Sequence, residues 1–198
     1  FKYQKRSREM YEKDLSKRDS LIFTNKVFAY ALAVSEENAS MGQVVTAPTC
    51  GASGVIPGVL RGMKEEYELV EKHILRGLAI AWLIRNLFNL NATISGAEAG
   101  CQAEVGTACS MAAAMATYFM GGNIDQIEYA AESAMEHHLG MTCDPVGGYV
   151  IIPCIERNAI CAVRAINTAT YCMSTDGKHT ISFDEVVKTM KETGKDMC

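Results

Sequence analysis

Apolar residues recur at helical spacings along most of the chain. In residues 22–37, for example, Val27, Ala31 and Val34 are separated by four and three positions, which places their side chains on one face of an α-helix. Residues 4–17 are charged and amphipathic, whereas Val, Ile and Thr are scattered instead of alternating as in β-strands. We therefore predict an all-α fold consisting of a single helical domain. Its predicted helices cover 4–17, 22–37, 55–69, 72–90, 97–120, 124–138, 153–173 and 183–193.

Three segments are rich in Gly, Ser and Thr and poor in charge. They cover 46–54, 92–101 and 139–149, and each contains or adjoins a cysteine. Loops that only face solvent are usually more polar than these. We therefore expect the three loops to be buried or to line a cleft, where small residues let the backbone approach a ligand.

Composition and charge narrow the class of protein. The chain has 198 residues, of which 48% are hydrophobic and 21% charged, a globular composition whose length favours one domain. The net charge of −4 argues against a nucleic-acid partner, which requires a basic surface. No apolar run approaches the roughly 18 residues that span a bilayer, and no signal peptide is recognisable. We therefore expect no membrane partner and a cytoplasmic location.

The number of cysteines suggests that some of them have a metal-binding or catalytic role. The chain contains 8 cysteines, and in a reducing cytosol cysteines are reduced, metal-bound or catalytic. The chain also begins at Phe1 without an initiator Met and ends at Cys198. We expect it to be a fragment or a processed piece of a longer protein.

Cys143 and Cys154 form the first candidate pair of metal ligands. Pro153 suits the start of a helix, which places Cys154 in the first turn. There the helix dipole stabilises a thiolate, the form of cysteine that binds metals. The alternative is that both are small buried residues. We expect that packing role for Cys161 and Cys172, which lie deeper in the same predicted helix.

Segment 94–106 places two carboxylates beside another cysteine in apolar surroundings. Glu98 and Glu104 flank Cys101, and burial of a carboxylate is costly unless the group has a partner. Both glutamates are therefore candidate polar residues of a functional site. The alternative is that they are half-exposed helix residues. Cys109, further along, is expected to pack in the core.

Two histidines directly precede the loop that contains Cys143. His137 and His138 are candidate acid–base groups or metal ligands. The alternative is that they interact with the dipole at the end of a helix.

The loop at 46–54 enters a predicted helix, and backbone of this kind can bind a carboxylate or a phosphate through its N–H groups. It lacks the Lys of a phosphate-binding loop, which argues against nucleotide binding.

Several motifs together identify a family resemblance. They include Ile-Ser-Gly-Ala-Glu-Ala-Gly-Cys-Gln-Ala-Glu-Val-Gly, Met-Glu-His-His-Leu-Gly-Met-Thr-Cys-Asp-Pro-Val-Gly-Gly and Pro-Cys-Ile-Glu-Arg-Asn-Ala. From about residue 20 to its end, the chain resembles the catalytic alpha domain of the bacterial iron–sulfur-dependent L-serine dehydratases (L-serine ammonia-lyases). The matching stretches are 28–39, 44–54, 92–106, 135–148, 153–159 and 193–197.

The resemblance implies an all-α fold that carries a [4Fe–4S] cluster. Cys101, Cys143 and Cys154 match the family's cluster ligands, and three thiolates leave one iron open as a Lewis acid. The implied reaction deaminates L-serine to pyruvate and ammonia. Two alternatives stay open: a related cluster-dependent lyase such as a cysteine desulfidase, and a non-catalytic helical module with a structural metal site.

The resemblance also implies a domain organisation, partners and a set of candidate site residues. Residues 1–198 would be the catalytic alpha domain, completed by an N-terminal beta domain or beta subunit and by a C-terminal tail. We expect a small amino acid as substrate and a homo-oligomeric protein. The candidate catalytic residues are Glu98, Glu104, His137 and His138, and the candidate substrate-binding residues are Thr49, Ser53 and Asn158.

Overall fold

The computed structural model describes residues 3–13 and 19–197, and in these ranges it contains helices and no β-strand, which confirms the predicted all-α fold. A π-helical turn occurs at Gln102–Gly106, and 3₁₀ turns occur at Cys50–Ala52 and Val146–Gly148. The α-helices are α1 (Ser7–Tyr11), α2 (Asp19–Ala39), α3 (Val55–Glu66), α4 (Glu71–Asn91), α5 (Gly96–Cys101), α6 (Thr107–Phe119), α7 (Ile124–Glu136), α8 (Cys154–Met173) and α9 (Phe183–Asp196).

Helix α6 forms the centre of the fold. Every residue from Thr107 to Thr117 is buried, and the helix contacts α3, α4, α7 and α8. Its many alanines let these neighbours approach closely, while the flexible side chains of Met111 and Met115 fill the remaining space. The π-helical turn that precedes α6 is therefore mounted on a well-packed core.

The single predicted helix over 97–120 is wrong, because the chain breaks at Gly100. Gly100 has a φ of +70°, a conformation that glycine adopts without strain. The backbone N–H of Gln102 donates to the Met141 carbonyl at 3.0 Å, and a Cβ at Gly100 would lie 2.7 Å from the same oxygen. The break thus lets the loop after α7 pack directly against the start of the π-helical turn.

The predicted helices at 22–37, 55–69, 72–90, 124–138, 153–173 and 183–193 are confirmed, with their ends shifted by a few residues. In α9 the first turn carries Asp184 and Glu185, and Ser182 and Glu185 cap the helix reciprocally. The first predicted helix, 4–17, is confirmed over Ser7–Tyr11 only. Residues 14–18 and Cys198 lie outside the described residues. Within the described ranges, no helix has both the length and the apolar character required to cross a membrane.

Helix α7 contains a buried carboxyl group, that of Glu132. Glu132 is 1% exposed, and its Oε1 atom has no hydrogen-bond partner. Burial raises the pKa of Glu132 to about 8, and the nearby charges of Glu136 and Glu128 add to the shift. The group is therefore protonated at neutral pH, which avoids an unpaired charge in the core.

We expect the free energy of unfolding to fall as pH rises from about 4.5 to about 8, the range over which the unfolded chain ionises Glu132 more readily than the folded one. Each pKa unit corresponds to about 1.4 kcal/mol, so the loss should reach a few kcal/mol. Urea unfolding across this pH range would measure it. Glu132→Gln should flatten the dependence, and Glu66→Gln, at an exposed position, should not. An unchanged pH slope in Glu132→Gln would contradict this account.

Candidate active site

The three Gly- and Ser-rich loops meet around a cavity of about 870 Å³. Residues 49–51, 94–97 and 142–145 line it, together with Glu104 and Met197 among others. The prediction that these loops line a cleft is confirmed. Because the loops carry little charge of their own, the few polar side chains in the wall define its chemistry.

Two cysteines and a carboxylate form one group at this cavity, whose lining includes Cys143 and Glu104 but not Cys101. The Sγ atoms of Cys101 and Cys143 and a carboxylate oxygen of Glu104 lie within 4.8 Å of one another. Cys101 is buried, whereas Cys143 and Glu104 are half-buried. Burial raises the pKa of Cys101 to about 12, and the neighbouring Cys143 thiol adds to the shift. Two sulfur ligands and one oxygen ligand could together hold a metal.

Cys154 lies beside this group as the first residue of α8. It does not belong to the set of atoms within 4.8 Å, but its thiol interacts electrostatically with Cys143 and Glu104. Burial raises the pKa of Cys154 and so outweighs the thiolate stabilisation expected at a helix start. The structure thus brings two of the three predicted cysteine ligands into one group and places the third next to it.

Arg157 is a site residue that the motif analysis did not single out. Its Nη1 atom donates to the Thr142 carbonyl at 2.9 Å, which ties α8 to the loop of Cys143. Its guanidinium also acts to lower the pKa of Cys101 and of Cys154, although burial has the larger effect and raises both pKa values. The spacing of three residues from Cys154 is the sequence signal that could have identified Arg157, because it places both residues on one helix face.

The π-helical turn presents Glu104 to the cavity. The Thr49 hydroxyl donates a hydrogen bond to Glu104 Oε1, so the glutamate is held by the loop opposite. A Cβ at Gly96 would lie 2.7 Å from Glu104 Oε2 and 3.5 Å from Cys143 Sγ. Gly96 therefore leaves the space that the carboxylate and the thiol share.

Asn158 in α8 and Ser53 near the end of the 46–54 loop are both buried, and neither lines the cavity. Asn158 Nδ2 donates to the carbonyls of Gly51 and Cys154 at 2.7 and 2.8 Å. Its Oδ1 accepts from the Gly54 N–H at 2.9 Å. Ser53 Oγ is buried with no hydrogen-bond partner. Asn158 thus uses its amide to fasten this loop to α8.

The structure separates the four predicted catalytic side chains. Glu104 lines the cavity, but Glu98, His137 and His138 do not. Glu98 is exposed and accepts a hydrogen bond from the Thr93 hydroxyl at 2.6 Å. His137 Nδ1 lies 2.8 Å from a backbone carbonyl one turn back in α7, which is the helix-end contact considered as its alternative. His138 is buried at a different place in the core.

Comparisons with known proteins agree on one family. The family model described as serine dehydratase alpha chain matches residues 2–198. An L-serine dehydratase of Streptomyces coelicolor is 57% identical over 169 residues, which cover 85% of this chain and 37% of that protein. L-serine dehydratase TdcG of Escherichia coli strain K12 is 52% identical over 191 residues, or 96% of this chain and 42% of that protein. The chain therefore spans about two fifths of the length of the curated relatives it matches.

Proposed function

We propose, since the chain belongs to the serine dehydratase alpha-chain family, that it forms the catalytic part of an L-serine ammonia-lyase, which converts L-serine to pyruvate and ammonia. The observation that carries the proposal is the group formed by Cys101, Cys143 and Glu104, of which Cys143 and Glu104 line the cavity. A concave site with few, convergent polar groups is typical of small-molecule binding. Its volume of about 870 Å³ leaves ample room for a small amino acid.

The donors at this cavity fit a [4Fe–4S] cluster held by the thiolates of Cys101, Cys143 and Cys154. Clusters of this type are held by cysteine sulfurs, and the absence of a Cβ at Gly96 keeps the wall clear beside Cys143 Sγ, from which such an atom would lie 3.5 Å away. Arg157 supplies a positive charge next to the thiolates. When bound through three thiolates, the cluster has one iron without a protein ligand and supplies a Lewis acid for the hydroxyl group that leaves.

Glu104 is the base in this proposal. L-serine must lose its α-proton and its β-hydroxyl, together one water, and the enamine that results hydrolyses to pyruvate and ammonia. The carboxylates among the described residues that line the cavity are those of Glu104 and Asp144, and Glu104 is the one grouped with the thiols. Its hydrogen bond from Thr49 orients the carboxylate so that its other oxygen can take the proton.

The remaining predicted residues take different parts in the proposal. Thr49 lines the cavity and is assigned to substrate contact. Asn158 positions the 46–54 loop through its three backbone hydrogen bonds, and Ser53 is a buried residue of that loop. Glu98, His137 and His138 have no assigned contact with the substrate, because they lie outside the cavity wall.

The proposal also includes a partner domain or subunit and an oligomeric assembly. The curated relatives extend well beyond the matched part, and the family model describes an alpha chain. We assign residues 1–198 to the catalytic alpha domain, paired with a beta domain or a beta subunit. A homo-oligomer in the cytoplasm is the assembly that we propose.

Anaerobic reconstitution of the protein with iron and sulfide tests this function. A brown protein that contains iron and sulfide and converts L-serine to pyruvate is the expected result. Release of sulfide from L-cysteine, with L-serine inert, would instead indicate a cluster-dependent desulfidase. Binding of zinc at this cavity without iron would indicate a structural metal site and would overturn the proposed activity.

A further inference from the structure

A second group of metal-ligand side chains lies apart from the cavity. Cys109 in α6, His138 just after α7 and Cys161 in α8 bring their ligand atoms within 4.8 Å of one another. Their exposed fractions are 0%, 2% and 2%, so the cysteines are buried as the sequence predicted. None of the three lines the cavity described above. Three separate helical elements of the core therefore converge on one point.

The imidazole of His138 is oriented as in a metal ligand. Its Nδ1 atom lies 2.7 Å from the Ala134 carbonyl, and a backbone carbonyl can only accept, so Nδ1 carries the proton. The lone pair is then on Nε2. A ring nitrogen that donates to a backbone carbonyl while the other binds the ion is the usual arrangement of metal-bound histidine. Burial lowers the pKa of His138 to about 4, so the ring is neutral at pH 7, and it raises the pKa of the Cys161 thiol, which therefore keeps its proton until an ion binds.

The two thiols make weak contacts in their present arrangement, with each other and with backbone carbonyls. Cys109 Sγ lies 3.7 Å from the Cys161 carbonyl, and Cys161 Sγ lies 3.5 Å from the Val105 carbonyl. Sulfur is a weak hydrogen-bond donor, so these contacts are easily exchanged for bonds to an ion. Bonds of about 2.3 Å to sulfur and about 2.0 Å to nitrogen place zinc ligands roughly 3.5–4 Å apart. Small side-chain rotations would bring the three ligand atoms to that spacing.

We propose that Cys109, His138 and Cys161 bind one thiophilic divalent metal ion of the zinc class, as a structural site that joins α6, α7 and α8. Binding releases one proton from each thiol to solvent, and no other bond breaks. Two thiolates balance the charge of a divalent ion and the imidazole is neutral, so the complex is uncharged in the core. A monovalent soft ion such as Cu⁺ would leave one negative charge buried, which is costly. The site is independent of the proposed lyase function.

Cobalt can report on this site, because thiolate-to-cobalt charge-transfer absorption grows with the number of sulfur ligands. The full chain carrying Cys143→Ala would be used, so that the thiol group at the cavity is disabled. We expect it to bind one equivalent of Co²⁺ with the absorption of two thiolates, and Zn²⁺ to displace the cobalt. Adding Cys161→Ala should remove about half of this absorption and weaken binding at least tenfold, as expected for loss of a ligand. Adding Cys172→Ala should change neither.

Cys172 is the matched control, because it is a buried cysteine of the same helix that lies outside both metal-ligand groups. Equal cobalt absorption with and without Cys161→Ala would overturn the proposal, as would absence of uptake by a helical, folded protein. X-ray absorption of the zinc-loaded Cys143→Ala chain provides a test that does not depend on the folding of the Cys161→Ala variant. Two sulfur neighbours and at least one nitrogen neighbour are expected, and a zinc ion with only oxygen and nitrogen neighbours would contradict the site.

Discussion

Cys143→Ala is expected to abolish cluster binding and to lower the turnover of L-serine at least about a hundredfold, because even residues that merely support metal ligands contribute 10- to 100-fold. Cys143 belongs to the group formed with Cys101 and Glu104, and it also lines the cavity. The substitution therefore removes a ligand at the point where cofactor and substrate would meet. Iron and sulfide per chain, together with pyruvate formed from L-serine, measure the two effects after anaerobic reconstitution.

Cys172→Ala is the control for this experiment. Cys172 is a fully buried thiol in α8, and it belongs to neither metal-ligand group. The variant should keep its iron, its sulfide and its activity, with some loss of stability from the small cavity that it leaves. If Cys143→Ala retained the full iron content, Cys143 could not be a cluster ligand.

Glu104→Gln should lower kcat for L-serine by about 10²–10⁴-fold, the usual contribution of a general base, while KM changes little. The amide oxygen of glutamine can still accept the hydrogen bond that Thr49 donates, so the side chain should keep its place. It can no longer take up a proton. Steady-state kinetics of the reconstituted protein would measure the effect, and iron content would show that the cluster is intact.

Glu66→Gln is the matched control for Glu104→Gln, since Glu66 is exposed at the end of α3. It should leave kcat and KM unchanged. A Glu104→Gln enzyme with an intact cluster and nearly normal kcat would exclude Glu104 as the base. Asp144, the other carboxylate in the described cavity wall, would then be the next candidate.

Much of the site could be predicted from the sequence because its chemistry is concentrated in short segments. The segment around Cys101 and the loop around Cys143 each carry a predicted ligand, and the structure brings these two sulfurs together with Glu104. Glu104 and Glu98 could not be ranked from sequence, since both flank Cys101 in similar surroundings. The break at Gly100 decides between them, because it turns Glu104 to the cavity and leaves Glu98 exposed.

Histidines and buried amides were harder to assign from the sequence. His137 and His138 are adjacent to the Cys143 loop in the chain, but neither lines the cavity. The Nδ1 atom of each ring instead contacts a backbone carbonyl of α7. Asn158 could have been a substrate ligand or a structural amide by its residue type alone. Its three hydrogen bonds to backbone groups are tertiary contacts that only the folded chain reveals.

By itself, the sequence determined the helical class, most helix positions and the small-residue loops that form the cavity. These features follow from local periodicity, capping and side-chain size, which act over a few neighbouring residues. The tertiary structure decided which cysteines share a site. Cys101 lies with Cys143, Cys154 lies beside them, and Cys109 and Cys161 meet His138 elsewhere in the core. The physical reason is that ligand groups depend on how separate elements pack in space. Cys101 in α5 and Cys143 in the loop after α7 are 42 positions apart, and Cys109 in α6 and Cys161 in α8 are 52 positions apart. Each pair comes together only when these elements pack around the common core.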